Sequence, residues 1–480
     1  MHKKIACFVI FICDIIAIIS AFLFSGIVAK FISHDILGNP YPDLISADVT
    51  ARLYSYLFMS FIAIFVFYNR GHYKRRIPWW SQVKYIATTL AIIFLIDGFI
   101  HFATKYDFSR LWVGLSWVTA FIFILLARHI AKIICCKCNV WKIPTTIIGD
   151  KENIIETSLA LHSEGYTGYD LKNIIIHNGY NYFDIGELPA AYKNVKIIDG
   201  SKSYKTFLEK HKNAFFVIAP DSFQSMDIDT IADKISSNHS GYAVVPPVEG
   251  INLYGSTPQF FFGYDVMFLL SRSNIHSPFG AIIKRLLDVI GSIIGLILLS
   301  PVFIIVCATV KKDGGPAFFA HTRVGKNNKP FKCLKFRSMA IDAEERLNLL
   351  LQSDEKIRKE WEASYKLIND PRITKIGNFI RKTSIDELPQ LINVLRGEMS
   401  LVGPRPIVED EKKYYGDKIE EYLSVRPGVT GLWQASGRSE TSYKQRVHLD
   451  SWYVNNWSIW TDIVVLIKTV IALTKRSGAY

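Results

Sequence analysis

Long apolar stretches alternate with short charged ones over the first quarter of the chain. Four apolar runs occupy residues 5–29, 53–68, 83–103 and 111–127. A helix needs about 20 apolar residues to cross a bilayer, and the shortest run is near the lower limit. The pattern predicts a four-helix transmembrane bundle over residues 1–140. The first run is too long for a signal peptide and lacks a small-residue cleavage site.

Lysine and arginine residues gather in alternate connections between these runs. Lys3 and Lys4 precede the first run. The connection between the second and third runs carries Arg70, Lys74, Arg75, Arg76 and Lys84, and the segment after the fourth run carries Arg128, Lys132, Lys137 and Lys142. Cytoplasmic connections are the ones enriched in these residues. Both ends of the bundle are therefore expected on the cytoplasmic side.

The ionisable residues Asp14, Asp97 and His101 fall well inside the apolar runs. Ionisable groups are expensive in a bilayer and often mark function there. No second acidic or basic constellation accompanies these three. We therefore expect them to make contacts between helices rather than to catalyse a reaction.

After residue 140 the pattern changes to short β-branched runs separated by polar segments of helical length. The runs are TTIIG (145–149), NIIIHNG (173–179), NVKIIDG (194–200), AFFVIAP (214–220) and YAVVPP (242–247). This alternation predicts a Rossmann-like α/β domain with a parallel sheet over residues 141–270. A dinucleotide site would show G-x-G-x-x-G after the first strand, whereas this chain has GDKENI at 149–154. A structural, dimerising or regulatory domain is favoured over an NAD site.

A fifth apolar run occupies residues 286–310, after a polar linker at 271–285. Its length suits an ordinary transmembrane helix, which would carry the rest of the chain out of the cytoplasm. However, Lys284 and Arg285 precede the run and two lysines follow it. Both ends thus carry the charge typical of the cytoplasmic side.

Ser300 and Pro301 interrupt this fifth run. Proline removes a backbone donor and crowds the preceding turn, which frees the carbonyl near Ile297. The Ser300 hydroxyl is suited to adjust the local bonding. A re-entrant helix, which enters the membrane, bends and returns to the same face, fits these features. On the residues alone it stands beside an ordinary span.

Residues 311–480 predict one compact, α-rich cytosolic domain, with a charged amphipathic helix at 341–366. Its basic residues stand in loops beside glycine or proline, where backbone donors and guanidinium groups both suit phosphate. The candidate contacts to phosphate or uridine are Lys335, Arg337, Arg372, Arg381, Arg405 and Arg438.

Two adjacent acids, Asp386 and Glu387, lie in the sequence SIDELPQ of this domain. Such a pair can hold a divalent cation and supply a nucleophile, while nearby cations neutralise phosphates. The combination is typical of phosphoryl transfer. The same stretch matches a capping box, because Ser384 precedes Glu387 by three positions. A helix N-terminus is also a natural phosphate site, so the two interpretations coexist.

Composition restricts the partners of the chain. The 480 residues carry a net charge of +13, which suits nucleic acid, anionic lipid or phosphorylated substrates. The apolar runs favour lipid and phosphate, and we expect no nucleic-acid partner. The seven cysteines lack the spacing of a disulfide framework or a zinc site and are interpreted as reduced thiols.

Several ordered motifs match a known family. They are KRLLDVIGSIIGLILLSP, KFRSM, RKTSIDELPQL, GEMSLVGPRP and RPGVTGLWQASGR. Over roughly residues 282–480 the chain resembles the bacterial sugar transferases, also called monotopic phosphoglycosyl transferases. The four apolar runs and the degenerate α/β domain resemble the large members of this family. DGGPAFFAHTRVG and DSWYVNNW look similar to its galactose-transferring branch.

The resemblance implies transfer of a hexose 1-phosphate, expected to be galactose 1-phosphate, from a UDP-sugar to undecaprenyl phosphate with release of UMP. This would begin O-antigen, capsule or exopolysaccharide synthesis. By the same resemblance Asp386 is the nucleophile that forms a phosphosugar acyl intermediate, and Glu387 holds Mg²⁺. The run at 286–310 would be a re-entrant membrane helix broken at Ser300 and Pro301. Basic residues at its cytosolic base, Lys284 and Arg285, are expected at the lipid headgroups.

The expected partners are a UDP-sugar, undecaprenyl phosphate and lipids of the bacterial inner membrane, with the soluble domains facing the cytoplasm. A homodimer is expected because the middle domain keeps its fold while losing its cofactor loop. Three alternatives stay open: the same reaction with a UDP-glucose or N-acetylhexosamine donor, a non-catalytic membrane scaffold for glycan assembly, and an NAD-dependent oxidoreductase. The intact Asp386 and Glu387 disfavour a scaffold, and the missing glycines disfavour NAD.

Overall fold

The computed structural model describes residues 2–38, 47–104, 109–177, 183–200, 207, 211, 214–222, 224, 226–237, 241–247, 256–260, 267–270, 275, 277–353, 358, 370–436 and 442–475. The chain divides into two compact units, Met1–Glu249 and Gly250–Tyr480. The first contains the four N-terminal apolar helices and the α/β domain. The second contains the fifth apolar helix and the region of the two adjacent acids.

Four long apolar helices begin the first unit, as the hydrophobic pattern predicts. They are α1 (His2–Lys30), α2 (Ala47–Asn69), α3 (Trp79–Thr104) and α4 (Arg110–Lys137), and a π-helical segment, Phe31–Ile36, extends α1. All four are long and apolar enough to cross a membrane. Aromatic rings pack between them, with the centroids of Tyr56 and Trp117 4.8 Å apart. Isoleucine, leucine and phenylalanine side chains remain exposed on the outside, as a lipid-facing surface requires.

A buried ion pair joins the first and fourth helices. Arg128 of α4 donates to both oxygens of Asp14 in α1, from Nε at 2.8 Å and from Nη2 at 2.5 Å, and neither side chain is exposed. The hydroxyl of Tyr73 also donates to Asp14, at 2.6 Å. Paired charges with matched hydrogen bonds offset the cost of leaving water. Asp14 is thus used for a contact between helices, as expected from the sequence.

A second buried ion pair joins the middle helices. Arg52 of α2 donates to Asp97 of α3 at 2.8 Å. The indole nitrogen of Trp117 in α4 donates to the same carboxylate, also at 2.8 Å. His101 lies one turn along α3, with its Nε2 3.2 Å from Asp97 Oδ1. Three helices therefore meet at one carboxylate, and Asp14, Asp97 and His101 all serve packing.

A five-stranded parallel sheet follows the fourth helix. Its strands are β1 (Ile143–Gly149), β2 (Tyr169–Ile176), β3 (Lys196–Asp199), β4 (Phe215–Ala219) and β5 (Tyr242–Val244), in the spatial order β3-β2-β1-β4-β5. Helix α5 (Lys151–Ser163) follows β1, and α6 (Ile228–Ser237) follows β4. Ile147 and Ile148 enter separate cores on the two faces of the sheet, so β1 is apolar on both sides. The predicted parallel α/β arrangement is confirmed.

The second unit contains a long apolar helix and many short elements. Its strands pair as β6 (Thr257–Phe260) with β7 (Met267–Leu270), β8 (Phe318–Val324) with β9 (Pro330–Phe336), and β10 (Ser400–Val402) with β11 (Gly428–Thr430). Its helices are α7 (Pro278–Val310), α8 (Ala343–Ser353), α9 (Lys375–Lys382), α10 (Gln390–Arg396), α11 (Ile419–Ser424), α12 (Leu432–Ala435), α13 (Tyr443–Asn455) and α14 (Ile459–Lys475). The first part of the predicted helix at 341–366 corresponds to α8, and most of the remainder lies outside the described residues.

Two boundaries differ from those that the sequence predicts. The division between the units falls at Glu249 rather than at 270, because the hairpin β6–β7 belongs to the second unit. Helix α7 begins at Pro278, well inside the predicted linker at 271–285. Ser277 caps it by accepting from the Gly280 amide at 3.0 Å, and proline suits a first helical turn. The cap at Ser277 therefore places the start of the helix before the start of the apolar run at residue 286.

The α-helix α7 continues through Pro301. The proline leaves the Ile297 carbonyl without its usual backbone donor. The Ser300 hydroxyl donates to that carbonyl at 2.8 Å. The local compensation indicated by the sequence is confirmed, and the neighbouring side chains of Ile297 and Leu298 stay exposed.

Gly149 ends β1 and lies opposite Ala219 of β4. A Cβ at this position would lie 2.0 Å from the carbonyl oxygen of Ala219. We expect Gly149→Ala to lower the free energy of unfolding by about 1–3 kcal/mol, the usual cost of overpacking. The change is measured as a lower Tm of the purified protein in detergent. Gly165→Ala is the matched control, because no atom lies within 4 Å of its added Cβ. Equal losses in the two variants would contradict the steric argument.

Candidate active site

The two adjacent acids lie on a short turn between helices α9 and α10. Ile385–Glu387 forms a single 3-10 turn, preceded by Ser384 with a φ of 55°. This left-handed conformation is uncommon for a residue other than glycine and is found often at functional sites. The turn buries Asp386, which is 9% exposed, and leaves Glu387 more open.

Ser384 does not cap this turn. Its side chain makes no capping hydrogen bond, and the Glu387 amide donates instead to the Ser384 carbonyl at 3.3 Å. An N-cap residue normally has an extended backbone, whereas Ser384 is left-handed. The Glu387 carboxylate accepts from Lys335 rather than from the backbone of Ser384. The capping-box interpretation is therefore wrong.

Lys335, on strand β9, contacts both acids. Its Nζ lies 2.6 Å from Oε1 of Glu387 and 3.7 Å from Oδ2 of Asp386. Burial is the main cause that raises the pKa of Asp386; Lys335 opposes this shift, Glu387 adds to it, and Arg381 opposes it. The net result is a buried carboxylate that is more basic than an exposed aspartate and lies beside a cation.

Of the predicted cationic residues, the structure brings Lys335 and Arg381 to the acids. Arg381 is in the last turn of α9, and its Nε donates to the Ser338 hydroxyl at 2.8 Å. Its charge acts on Asp386. Lys335 thus contacts the acids directly and Arg381 acts on Asp386 through its charge, and two cations near a carboxylate suit a diphosphate.

Arg337 and Arg372 are bonded within the protein. Arg337 donates to the carbonyl oxygens of Pro316 at 2.8 Å and of Val310 at 3.0 Å. Arg372 donates to both oxygens of Asp370, at 2.8 and 2.6 Å. Burial alone would raise the pKa of Asp370, but the hydrogen bonds from Arg372 reverse the shift and lower it. Arg337 thus holds two backbone carbonyls, and Arg372 is paired with the side chain of Asp370.

Arg405 belongs to a different cluster. Its guanidinium carbon lies 5.6 Å from the centre of the Trp433 ring, and that of Arg446 lies 4.8 Å from the same ring. Burial raises the pKa of Asp450 to about 7, against the opposing effects of Tyr415 and Arg405. The Tyr415 hydroxyl donates to Asp450 at 2.9 Å. This cluster places two arginines over one indole ring.

No motif in the sequence marks Arg446 or Asp450 as part of this cluster. Both lie on α13, where an isolated arginine resembles any solvated surface residue. Only the tertiary fold brings this helix against the loop that contains Arg405. The predicted Arg438 lies outside the described residues.

The Lys284 side chain is held by the protein at the start of α7. Its Nζ lies 2.6 Å from Asp462 and 3.4 Å from Asp288, and it donates to the Val402 carbonyl at 3.0 Å. Burial raises the pKa of Asp462, and Lys284 opposes that shift. The cation therefore joins α7 to α14 and to strand β10.

Arg285 binds the end of another helix. It donates to the carbonyl oxygens of Val394 at 2.6 Å and of Leu395 at 2.9 Å, in the last turn of α10. A cation is favourable at a helix C-terminus because it meets unpaired carbonyls and the negative end of the helix dipole. Arg285 and Lys284 thus anchor α7, and their contact with lipid headgroups stays a prediction.

The acid pair offers a partial set of metal ligands. Within the described part of the chain, no three His, Cys, Asp or Glu side chains converge as a metal site. Mg²⁺ in phosphate-transferring sites is often held by one or two carboxylates, with water and substrate phosphates as the other ligands. The Glu387 side chain, 33% exposed, fits such a site.

Comparison with known proteins extends this picture along the chain. Residues 279–476 match the family described as bacterial sugar transferase. The chain is 38% identical over 436 residues to undecaprenyl-phosphate galactose phosphotransferase of Salmonella typhimurium, with 90% of each protein covered. It is 36% identical over 438 residues to the UDP-galactose-lipid carrier transferase of Erwinia amylovora, again with 90% of each covered. It is also 34% identical over 265 residues to UDP-glucose:undecaprenyl-phosphate glucose-1-phosphate transferase of Klebsiella pneumoniae, which covers 53% of each.

Removal of the Lys284 side chain tests its role as an anchor. Lys284→Ala leaves Asp462 and Asp288 buried without their cation, and we expect a loss of about 3–5 kcal/mol in the free energy of unfolding, typical of a broken buried pair. The loss is measured by thermal or denaturant unfolding in detergent. Lys312→Ala is the control, because this lysine at the other end of α7 is exposed. A loss no larger than that of the control would count against the anchor.

Proposed function

Because the chain belongs to the bacterial sugar transferase family and is a phosphoglycosyl transferase, we propose that it transfers a hexose 1-phosphate from a UDP-sugar to undecaprenyl phosphate. UMP is the second product. The observation that carries the proposal is the buried Asp386 beside Lys335, with Glu387 next to it on the same turn. The reaction would begin the synthesis of an O-antigen, capsule or exopolysaccharide.

Asp386 is the proposed nucleophile. One of its carboxylate oxygens attacks the sugar-bearing phosphorus of the UDP-sugar, while the bond from this phosphorus to the bridging oxygen breaks. UMP leaves with that oxygen and its electron pair, and the sugar phosphate stays on Asp386 as an acyl phosphate. The ionised carboxylate needs no general base. Its raised pKa makes this ionised form more nucleophilic, and Lys335 helps to retain the charge.

The lipid completes the exchange. A phosphate oxygen of undecaprenyl phosphate attacks the same phosphorus, and the bond between this phosphorus and Asp386 breaks. The carboxylate is regenerated, and the product is the sugar linked to the lipid through a diphosphate. The first half of this two-step scheme runs without the lipid, as in other covalent mechanisms.

Glu387 is the proposed ligand for Mg²⁺. A bound Mg²⁺ supplies positive charge that offsets the repulsion between the carboxylates and the diphosphate. Glu387 suits this role because its side chain is partly exposed and its carboxylate contacts Lys335, which also lies near Asp386. Loss of transfer with a chelator and its recovery with added Mg²⁺ would support this assignment, and full activity with the chelator would contradict it.

Lys335 and Arg381 are the proposed contacts to the diphosphate, because their charges already act on Asp386. Arg405 is proposed to contact the nucleotide from its place beside Trp433. We propose that Arg337 and Arg372 act on the substrate through the loops that they fix, since both are bonded to protein oxygens.

Helix α7 is the proposed re-entrant membrane element. Lys284, near its start, pairs with Asp462, and the carbonyl of Val310, at its end, accepts from Arg337. Both contacts lie within one compact unit, whereas an ordinary span would separate its ends by about 30 Å of hydrocarbon. The exposed apolar side chains between the two ends offer a surface to lipid.

We propose that the chain lies in the bacterial inner membrane with its soluble domains in the cytoplasm. Cations at both ends of α7 fit this side of the membrane. Helix α14 adds an exposed apolar face, with Ile463, Ile467 and Val470 at helical spacing. In a variant whose seven native cysteines are replaced, a membrane-impermeant thiol reagent should label Lys312→Cys only after the inner membrane is opened. Labelling of intact spheroplasts would contradict the re-entrant arrangement.

Galactose is the proposed sugar. Two relatives that match over nine-tenths of both chains carry galactose in their names, whereas a relative named for glucose matches over 53%. A mass-spectrometric screen of UDP-galactose, UDP-glucose and N-acetylated UDP-hexosamines would test this choice. A preference for another donor would reject galactose while leaving the reaction class intact.

A homodimer is the proposed assembly. The α/β domain has a five-stranded parallel sheet but lacks the glycines of a cofactor loop, so another role is needed to account for it. Mass photometry of the protein in nanodiscs measures the assembly directly, and a purely monomeric particle would contradict it.

Asp386→Asn removes the ionised nucleophile and keeps the size of the side chain. We expect the release of UMP from UDP-galactose to fall on the order of 10⁴-fold or more, because loss of a nucleophile removes the covalent step. A sharper measurement is the exchange of labelled UMP into UDP-galactose without lipid, which needs the acyl phosphate. Asp417→Asn is the matched control at an exposed position. Full turnover by Asp386→Asn would contradict the proposed mechanism.

Lys335→Met removes the cation that opposes the raised pKa of Asp386. The pKa of Asp386 should then rise further, so the ionised nucleophile forms only at higher pH. We expect the acid limb of the pH profile for UMP exchange to move to higher pH. Lys332→Met, on the same strand and exposed, is the control and should leave this limb in place. An unmoved limb in Lys335→Met would contradict the electrostatic role.

A further inference from the structure

The strand order of the parallel sheet reverses between β1 and β4. Strands β2 and β3 extend from β1 on one side, and β5 extends from β4 on the other. In open α/β sheets, ligands bind outside the carboxyl ends of the strands at this crevice. Helix α5 begins there, and its first backbone amides and its dipole attract an anion. The domain therefore has the architecture of a phosphate site.

An anion from the chain itself already occupies this position. The amides of Glu152 and Asn153, in the first turn of α5, donate to the carboxylate of Asp221, at 3.2 Å to Oδ2 and 2.8 Å to Oδ1. Asp221 follows the end of β4 by two residues, so its carboxylate comes from the far side of the crevice. Amides of this kind are the ones that a bound phosphate would use.

The contact between the two sides is reciprocal. The Asp221 amide donates to Oδ2 of Asp150 at 3.1 Å, and the side-chain amide of Asn153 donates to the Pro220 carbonyl. Asp150 is the residue before α5, is 4% exposed and makes no side-chain cap to the helix. Capping of α5 is thus supplied by Asp221, from the neighbouring strand. Four hydrogen bonds close the mouth of the crevice.

Two further residues of the loop have roles within the protein. The close approach of β1 and β4 depends on Gly149, where a Cβ would lie 2.0 Å from the Ala219 carbonyl oxygen. Lys151 pairs with Glu187 at 2.9 Å. The glycine serves strand packing, and the lysine charge has a protein partner.

We propose that Asp221 is an internal substitute for a nucleotide phosphate, and that the α/β domain keeps its anion site filled by its own chain. A second anion at the same amides would meet the carboxylates of Asp221 and Asp150 at close range and would be repelled. The domain therefore works without a nucleotide at this crevice. Its anion site instead holds the end of β4 against α5.

The test removes Asp221 in the full-length protein and follows the amides that it binds. Hydrogen–deuterium exchange of residues 152 and 153 is measured with EDTA present, with and without added pyrophosphate. In the parent protein we expect both amides to be protected, with no effect of pyrophosphate. In Asp221→Ala they should exchange roughly tenfold faster or more, because two hydrogen bonds to a charged group are lost. Pyrophosphate should restore the protection.

Asp221→Asn is a milder variant that keeps an acceptor and removes the charge. It keeps the proposal testable if the alanine variant does not fold. We expect its Tm to rise with pyrophosphate, while the Tm of the parent stays constant. Asp229→Asn, at an exposed position on α6, is the matched control and should behave like the parent.

Four results would overturn the proposal. One is protection or stabilisation of the parent at residues 152 and 153 by pyrophosphate, NAD or UDP-galactose, since the crevice would then be open. Another is fast exchange of these amides in the parent. The third is unchanged exchange in Asp221→Ala. The fourth is the absence of any pyrophosphate effect in both Asp221 variants, because the amides would then not form an anion site.

Discussion

The cost of burying a charge governs how the second unit is assembled. An unpaired buried ammonium costs several kcal/mol, so Lys284 requires Asp462, Asp288 and the Val402 carbonyl around it. This requirement draws together α7, β10 and α14, which are far apart in the sequence. The neighbouring Arg285 binds the last turn of α10, the helix that follows the acid turn. The position of the acids therefore depends on how the apolar helix is anchored.

Asp386 shows the opposite use of burial. Its cations offset only part of the desolvation, and its pKa remains raised. The left-handed Ser384 before it is a second local cost. Neither feature stabilises the fold, and both are tolerated because α9, α10 and β9 hold the turn on each side. Local instability at one turn, supported by stable neighbours, suits the nucleophilic role proposed for Asp386.

Local patterns in the sequence predict the parts of this structure that local physics determines. Apolar length predicts the helices, and β-branched runs predict the parallel strands. The prediction that Ser384 caps a helix was wrong because a four-residue pattern carries no information on whether the backbone is left-handed. The sequence does not distinguish between these arginines, and only the fold decides that the charge of Arg381 acts on Asp386 while Arg337 bonds to carbonyls. Likewise, no motif marks Asp221, since its partners precede it by about 70 residues.

The pairing of Asp14 with Arg128 has a consequence for the synthesis and membrane insertion of the protein. Asp14 enters the membrane on the first helix, and its partner is made 114 residues later, on the fourth. Until then the first helix holds a charge that hydrocarbon disfavours. The ion pair that offsets this cost can form only once the fourth helix has been made. Stable packing of the first helix therefore depends on a residue made after the second and third helices are complete.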